Sequence, residues 1–444
     1  MMKAQDRMDP ALKGVVWVGT SKEVRRERPA LDSDLDVDLA VVGGGFCGLS
    51  AALHAAAAGL SVAVIEAGIV GSGASGRNGG FVVPQFPGAI TPSAVRARLG
   101  AKKGAALVEL VAAGPDAVMA QIARYQIACD AQQNGWIQPA HSPKALAKVR
   151  QVYEEWRALG APVEWLDAGG IAAALGASGY LGGWRRASGA QLNPYALCQG
   201  LARAAENHGA RIFERSRATA VAPASGAGGA ARVAVAVNGR RLAARKLFFA
   251  TNGYTDGLVA DEDRSIVPVH LYHVATKPLP ADQRRLVNPS QGCFTDLRKS
   301  GGFGRYDVEG RLISGGAVFG LGARQGYGEA HARARMAELF PVLRDVEIET
   351  YWEGWCAVTE SFLPRFQILA PNVYSVGGFS TRGVALAQNI GRVVAEFLAE
   401  SRMLDDVPLE TADGVHRIAW QRLKTAAARV IFPVYQGMDR IGLS

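Results

Sequence analysis

The chain has 444 residues, 49% of them hydrophobic, and 49 Lys and Arg against 40 Asp and Glu, a net charge of +9. That length exceeds one small core, so two interleaved domains are expected, and the composition is that of an ordinary globular protein. The basic residues are spread along the chain, and the cysteines at 47, 129, 198, 293 and 356 form no CxxC or His/Cys cluster, so neither nucleic acid, a metal site nor a disulfide framework is expected.

The first residues carry no apolar segment of the signal-peptide kind, and the longest apolar stretches are strand-length or carry charges. A cytoplasmic protein without a membrane span is therefore expected. Residues 1–35 read as a polar arm without periodicity. The next segment is the most informative in the chain. Asp38-Leu-Ala-Val-Val reads as a buried parallel strand, and Gly43, Gly45 and Gly48 follow at GxGxxG spacing. A helix from Phe46 to Ala58 then presents its first NH groups, those of Phe46 and Cys47 among them, to a phosphate. Glu66, eighteen residues after Gly48, ends a second strand where a ribose is held. Strand, glycines, helix and acid in register point to a bound FAD or NAD.

Next comes Gly71-Ser-Gly-Ala-Ser-Gly-Arg-Asn-Gly-Gly80, too glycine-rich for a helix. Its small side chains and free NH groups suit a flat ring or a phosphate, with a flexible surface loop as the plainer alternative. From Thr91 to Ala174 apolar residues recur at helical steps, as at Leu107, Leu110 and Val111. A helix over 195–208 leads into a strand near Arg211 to Phe213. Strands are expected at 232–237 and into Phe248 to Gly253, with 222–231 as a hairpin loop. Residues 266–320 read as an antiparallel sheet, with strands at 268–275, 302–307 and 311–318. Val373 to Gly383 repeats the strand-then-glycine-loop pattern, and a long helix follows over 384–401.

Taken together these segments resemble the D-amino-acid oxidase superfamily of flavoproteins. Its carriers are the Asp36 to Ser50 block, Gly73-Ala-Ser-Gly-Arg-Asn-Gly-Gly80, Ala250-Thr-Asn-Gly-Tyr-Thr255, Ala275-Thr-Lys-Pro-Leu279, Gly310 to Gly316 and Gly377-Gly-Phe-Ser-Thr-Arg-Gly-Val384. The resemblance looks closest to the branch containing gamma-glutamylputrescine oxidase, with sarcosine and glycine oxidases more distant. It implies an α/β fold: a Rossmann-type FAD-binding domain from 36–90, 195–260 and 345–405. The second, α+β substrate domain would come from 91–194 and 261–344, and 406–444 would form a helical tail.

The resemblance makes the cofactor FAD. Gly43, Gly45, Phe46, Cys47 and Gly48 would serve the pyrophosphate, Glu66 and Ala67 the ribose, and Ala218 the adenine. Gly73, Ala74, Ser75, Arg77, Asn78, Gly79 and Gly80 would line the isoalloxazine; Phe379, Ser380, Thr381, Arg382, Gly383 and Val384 would approach its N1–C2=O edge. Relatives often have Gly-His where this chain has Thr381-Arg382, and Arg382 either faces the flavin or points outward. Cys356 falls about where monomeric sarcosine oxidase bonds its flavin, leaving open a covalent link or a buried thiol. The oxygen-activating lysine of sarcosine oxidases has no clear counterpart near Leu312 to Ser314.

The implied activity is oxidation of the CH–NH group of an amine or N-substituted amino acid by hydride transfer to flavin N5. The imine hydrolyses to an aldehyde or keto acid, and oxygen takes the electrons to give hydrogen peroxide. Such chemistry needs orientation and dryness more than a base. A dehydrogenase passing electrons to a quinone is one alternative; a tRNA-acting flavoprotein, a role known in this superfamily, is another. Candidates for the substrate pocket are Arg305, Tyr272, His270 and Arg382, with His273 on the opposite strand face from the first two aromatic positions. Arginines in these segments, without acids, point to a substrate bearing an anionic group.

Overall fold

A computed structural model describes residues 12–225, 231–255, 257–318 and 324–440. Among the described residues two large sheets carry the architecture. The first has strand order Glu410–Asp413, Arg365–Ala370, Val373–Gly377, Arg240–Phe249, Leu35–Val42, Val62–Ile65 and Arg211–Phe213. Leu35–Val42 pairs in parallel with both neighbours, and its Ala40 and Val41 are completely buried. An apolar run without alternation is what a strand covered on both faces requires. Ala218–Ser225 and Ala231–Val237 extend this sheet as an antiparallel hairpin, whose turn lies outside the described residues.

Helices Phe46–Ala57, Pro194–Asn207 and Gly383–Leu398 cover one face of it. The first and last approach closely because glycine allows it. A Cβ at Gly391 would stand 2.5 Å from the Cys47 carbonyl oxygen, and Ser50 Oγ donates to Gln388 O at 2.7 Å. Chain from the far end of the sequence is thereby fixed against the first glycine turn.

The second sheet runs Ile348–Val358, Val267–Thr276, Leu312–Ala317, Phe303–Tyr306, Cys293–Thr295, Trp136–Ala140, Gly182–Arg186 and Val163–Asp167. Its pairings are antiparallel except for Cys293–Thr295 against Trp136–Ala140.

Four sequence expectations need correction. The 91–174 stretch does hold helices, Pro92–Ala112, Gly114–Arg124, Pro143–Ala158 and Ala168–Leu175, yet two strands interrupt them. Trp136–Ala140 is buried at every position, so it shows no period-2 signal. Ile348–Val358, within the 345–405 segment expected to belong to the FAD-binding domain, instead pairs along Val267–Thr276 in the second sheet. Part of the expected helical tail, Glu410–Asp413, is an edge strand of the first sheet. Finally, the expected polar arm is packed: Leu12, Val15, Val16 and Trp17 are buried, and Arg28 donates to Glu206 at 2.6 Å. Four clustered apolar residues are too few to show a period.

Among the described residues no single helix is long and apolar enough to cross a membrane; Pro92–Ala112 and Gly114–Arg124 approach that length only as a pair bent by 55°.

Glu262 sits in a short turn behind the first sheet, 4% exposed, with Oε2 lacking a hydrogen-bond partner. Burial pushes its carboxyl up to about 7. Between pH 4.5 and 7 the unfolded chain releases this proton while the folded chain retains it, so stability falls as pH rises through that window. Glu262→Gln is expected to flatten that decline and to stabilise the protein by about 1–3 kcal/mol at pH 8. Denaturant titrations at pH 5 and pH 8 test this; equal losses in both proteins across the window would refute it.

Candidate functional site

A cavity of about 1030 Å³ opens at the carboxyl ends of the parallel strands, where Val42, Ile65 and Ala250 reach its wall, and extends to the second sheet. This is where ligands bind in open parallel sheets, because the following loops diverge there. Gly43 has φ +114°, and a Cβ on it would stand 2.8 Å from Ala250 O. A Cβ on Gly48 would stand 2.1 Å from Gly43 O, so the helix can approach the turn only without a side chain there. The Phe46–Ala57 helix starts with no acidic residue in its first turn and no side-chain cap of its own. Phe46 NH is instead taken by Ser75 Oγ at 3.0 Å. Its positive end faces the cavity, a ready site for a pyrophosphate.

Glu66 closes one end of the cavity beside Ser216, Arg217 and Ala218. Its two oxygens accept the Gly44 and Gly68 NH groups, both at 2.8 Å. Burial, opposed by those bonds, holds its carboxyl above the ordinary value.

The glycine-rich loop makes a short helical turn, Ala74–Arg77, and then extends. Three consecutive carbonyls are claimed from behind. Trp352 Nε1 donates to Arg77 O at 2.7 Å, Trp17 Nε1 to Asn78 O at 2.8 Å, and Arg305 Nε to Gly79 O at 2.6 Å. The Arg77 side chain is itself folded back, its Nε donating to Ser72 O at 2.8 Å.

Opposite this loop, Ser380 and Thr381 adopt positive φ just before the Gly383–Leu398 helix. That helix also starts without an acidic residue or a capping side chain. Two helix starts thus face one cavity, and the glycine turn leaves room for backbone NH groups to reach a ligand. The residues present fit a flavin dinucleotide. All positions expected to hold the cofactor lie in the cavity wall except Gly48, Gly80 and Ser380, which lie behind it.

The substrate-side candidates separate. Arg305 does not reach the cavity, and its expected role as a carboxylate anchor is corrected. It is 3% exposed and bonded to Gly79 O, to Leu192 O at 2.7 Å and to Tyr306 O at 3.1 Å, with its guanidinium 4.5 Å from the Trp17 ring centre. The physical reason is that carbonyls of the turn it braces consume its donors. His270 is likewise outside the wall: it stacks on Trp355 at 4.1 Å and its Nε2 lies 2.8 Å from Glu353. Tyr272 contributes to the wall, but its hydroxyl is bonded to His331 Nδ1 at 2.6 Å.

His273 is the histidine that reaches the cavity, between Trp352 and Phe303. Burial pushes its pKa down to about 4, so the ring is neutral at physiological pH. Arg382 also lies in the wall. Its Nη2 donates to Thr295 Oγ1 at 3.3 Å, its Nε is buried without a partner, and burial lowers its pKa to about 10. Thr295 belongs to the second sheet, so this guanidinium spans from the helix start toward that sheet. Cys356 lies beside it, accepting the Thr381 NH on Sγ at 3.1 Å, and burial pushes its thiol up to about 11.

Sequence reasoning missed several wall residues. Tyr254 lay in the Ala250–Thr255 block that marked the family, so a signal for it was present. Trp355, Lys299 and Tyr435 come from segments without motifs, and only the folded chain brings them together.

The profile of the DAO family, described as FAD dependent oxidoreductase, matches residues 38–397. The chain is 32% identical over 371 residues to gamma-glutamylputrescine oxidoreductase of Escherichia coli, covering 83% of this chain and 85% of that protein. It is 29% identical over 395 residues to a probable oxidoreductase, OrdL, of Haemophilus influenzae, covering 87% and 88%. Among solved structures, glycine oxidase from Geobacillus kaustophilus superposes with a TM-score of 0.69 at 22% identity, over 83% of this chain and 96% of that one. L-proline dehydrogenase from P. horikoshii gives 0.70 at 18% identity, over 84% and 96%.

Arg305→Ala removes donors from three buried carbonyls, an expected loss of about 2–4 kcal/mol of stability. A lowered Tm with a KM within about twofold of wild type in the FAD-loaded variant is the expected pattern. A raised KM at unchanged Tm would return Arg305 to the substrate.

Proposed function

The chain belongs to the DAO family of FAD-dependent oxidoreductases, and from that premise we propose that it oxidises the CH–NH group of a substrate that also carries an anion. Gamma-glutamylated amines and N-alkyl amino acids are the classes that meet this description. The observation that carries the reading is the charge of the cavity wall. Its acidic side chains among the described residues are Glu66 and Asp296, and both are engaged. Glu66 holds backbone NH groups; Asp296 is bound to Arg298 and accepts the Tyr180 hydroxyl at 3.0 Å. The Arg382 side chain, by contrast, has one hydrogen bond and no carboxylate in ion-pair reach among the described residues. A fully cationic polyamine would meet no available carboxylate there, whereas a substrate carboxylate would meet a guanidinium.

In this reading the Gly43–Gly48 turn holds the FAD pyrophosphate, Glu66 the adenosine ribose, and the 73–80 loop the ring system. Bound FAD supplies the hydride acceptor. The protein's own part is to bind, orient and keep dry. Arg382 fixes the anionic end of the substrate, while His273, Trp355 and Phe303 form a wall that excludes water. The neutral His273 ring adds no charge beside the reacting amine. The oxidised product hydrolyses to an aldehyde or keto acid, and oxygen takes up the electrons as hydrogen peroxide. The raised thiol of Cys356 supports a cofactor held without a covalent bond, because the thiolate is the reactive form.

Anaerobic bleaching of the flavin by a panel of amines tests the substrate class. N-methylglycine or a gamma-glutamyl diamine is expected to bleach it faster than putrescine does. Arg382→Ala is expected to raise KM for such anionic substrates by an amount equivalent to about 1.5–3 kcal/mol. Faster bleaching by putrescine, or an unchanged KM in that variant, would refute the anionic class.

Acid precipitation of the holoprotein is expected to leave the flavin in the supernatant. Yellow precipitate whose colour is lost in Cys356→Ser would show a covalent bond instead.

A further inference from the structure

The helix Phe432–Arg440 lies beyond the family-matched region, yet it contributes Tyr435 to the cavity wall. The same part of the wall includes Arg298, Lys299, Ser300 and Gly301. Helix and loop are latched by one carboxylate. Asp439, 7% exposed, accepts the backbone NH of Ser300 at 3.0 Å and of Lys299 at 3.3 Å, together with the Ser300 hydroxyl. Arg335 Nη2 donates to Ser300 Oγ at 3.1 Å from the other side.

The latch sets the position of Lys299. Its Nζ stands 4.5 Å from the centre of the Tyr435 ring, and no carboxylate lies in ion-pair reach of it among the described residues. Arg298, one residue earlier, is already consumed by Asp296 and Glu338. Lys299 is solvent-exposed and so stands at the rim of the cavity, where an ammonium held against an aromatic face is positioned for an incoming anion.

We propose that Lys299, held beneath Tyr435 by the C-terminal helix, binds a second anionic group at the end of the substrate distal to the oxidised carbon. This rests on the anionic-substrate reading above and adds to it. The preferred substrates then carry two separated negative charges for two of the wall's cations, Arg382 and Lys299, and the C-terminal helix sets the distance between the ends. Tyr435 supplies the far wall and Asp439 the fixing of the loop, so both are positioning residues.

The test uses inert carboxylates on the holoprotein, read by perturbation of the flavin absorption band. Straight-chain monocarboxylates from butanoate to heptanoate are compared with the α,ω-dicarboxylates of the same lengths, succinate to pimelate. At one chain length or more the wild type is expected to bind the dicarboxylate at least about tenfold more tightly than the matched monocarboxylate. Lys299→Ala is expected to abolish that preference without weakening the monocarboxylates, and Lys299→Arg to retain it. Asp439→Asn, which weakens the latch, is expected to reduce the preference while the flavin spectrum of the ligand-free protein stays unchanged. A wild type that binds both series equally at every length, or a preference that survives Lys299→Ala, overturns the proposal. Anaerobic bleaching separates the two readings: dicarboxylate preference without bleaching by any amine would sink the reaction and leave the distal site standing.

Discussion

The cavity depends on three consecutive carbonyls being turned away from it. Arg77, Asn78 and Gly79 each give their oxygen to a buried donor, from Trp352, Trp17 and Arg305 respectively. An extended glycine-rich loop has no ladder to satisfy its backbone, and a buried carbonyl without a donor costs about 1–3 kcal/mol. Donors behind the loop solve that problem and leave its opposite side to a ring. They also tie together three distant parts of the chain: the N-terminal segment, the strand Phe303–Tyr306 and the strand Ile348–Val358. The loop's conformation is therefore a property of the folded whole, although its glycines are local.

The same economy governs the charges. Arg305 is a buried cation with no carboxylate in ion-pair reach among the described residues, offset by carbonyl oxygens and the face of Trp17. Burial lowers its pKa to about 10, which still leaves it charged at neutral pH. Two helix starts without acidic residues add positive potential to the cavity, while the wall's acids are engaged, Glu66 by backbone NH groups and Asp296 by Arg298. A dinucleotide brings the compensating negative charge. Without such a ligand the arrangement would be costly, which is why so much unpaired positive potential in one place marks a binding site rather than a structural core.

The nucleotide-binding turn was legible because its signal is local. Strand, three glycines, helix and Glu66 lie within thirty residues, and each glycine answers a contact that a Cβ would violate. The second sheet was only partly legible. Trp136–Ala140 is buried on both faces and carries no alternation, and Ile348–Val358 took its place through pairing with Val267–Thr276, a long-range event. Arg305 and Arg382 looked alike in sequence, each an arginine in a segment expected near the flavin. What separates them is the supply of acceptors: Arg305 meets three carbonyls, and Arg382 meets one hydroxyl and keeps an unpartnered Nε. No pattern in either neighbourhood encodes that difference. His270 and His273 divide for a similar reason, since alternation says which residues share a face and not which one a stacked Trp355 will cover.

The shortage of free acids in the wall bears on the reaction in a second way. Removal of hydride from a carbon beside nitrogen requires the amine in its neutral form, while a free alkyl ammonium holds its proton well above neutral pH. In the proposed complex the substrate amine stands in a cavity whose wall, among the described residues, offers it no free carboxylate. A dry environment without a counter-ion disfavours the ammonium and so lowers its pKa. In the proposed reading, the shortage of free acids that favours an anionic substrate therefore also favours the reactive state of the amine. His273, neutral because burial holds its pKa near 4, fits this scheme as wall rather than as proton acceptor of last resort. In the proposed reading one electrostatic choice, cations without free acids, serves cofactor binding, substrate selection and activation together.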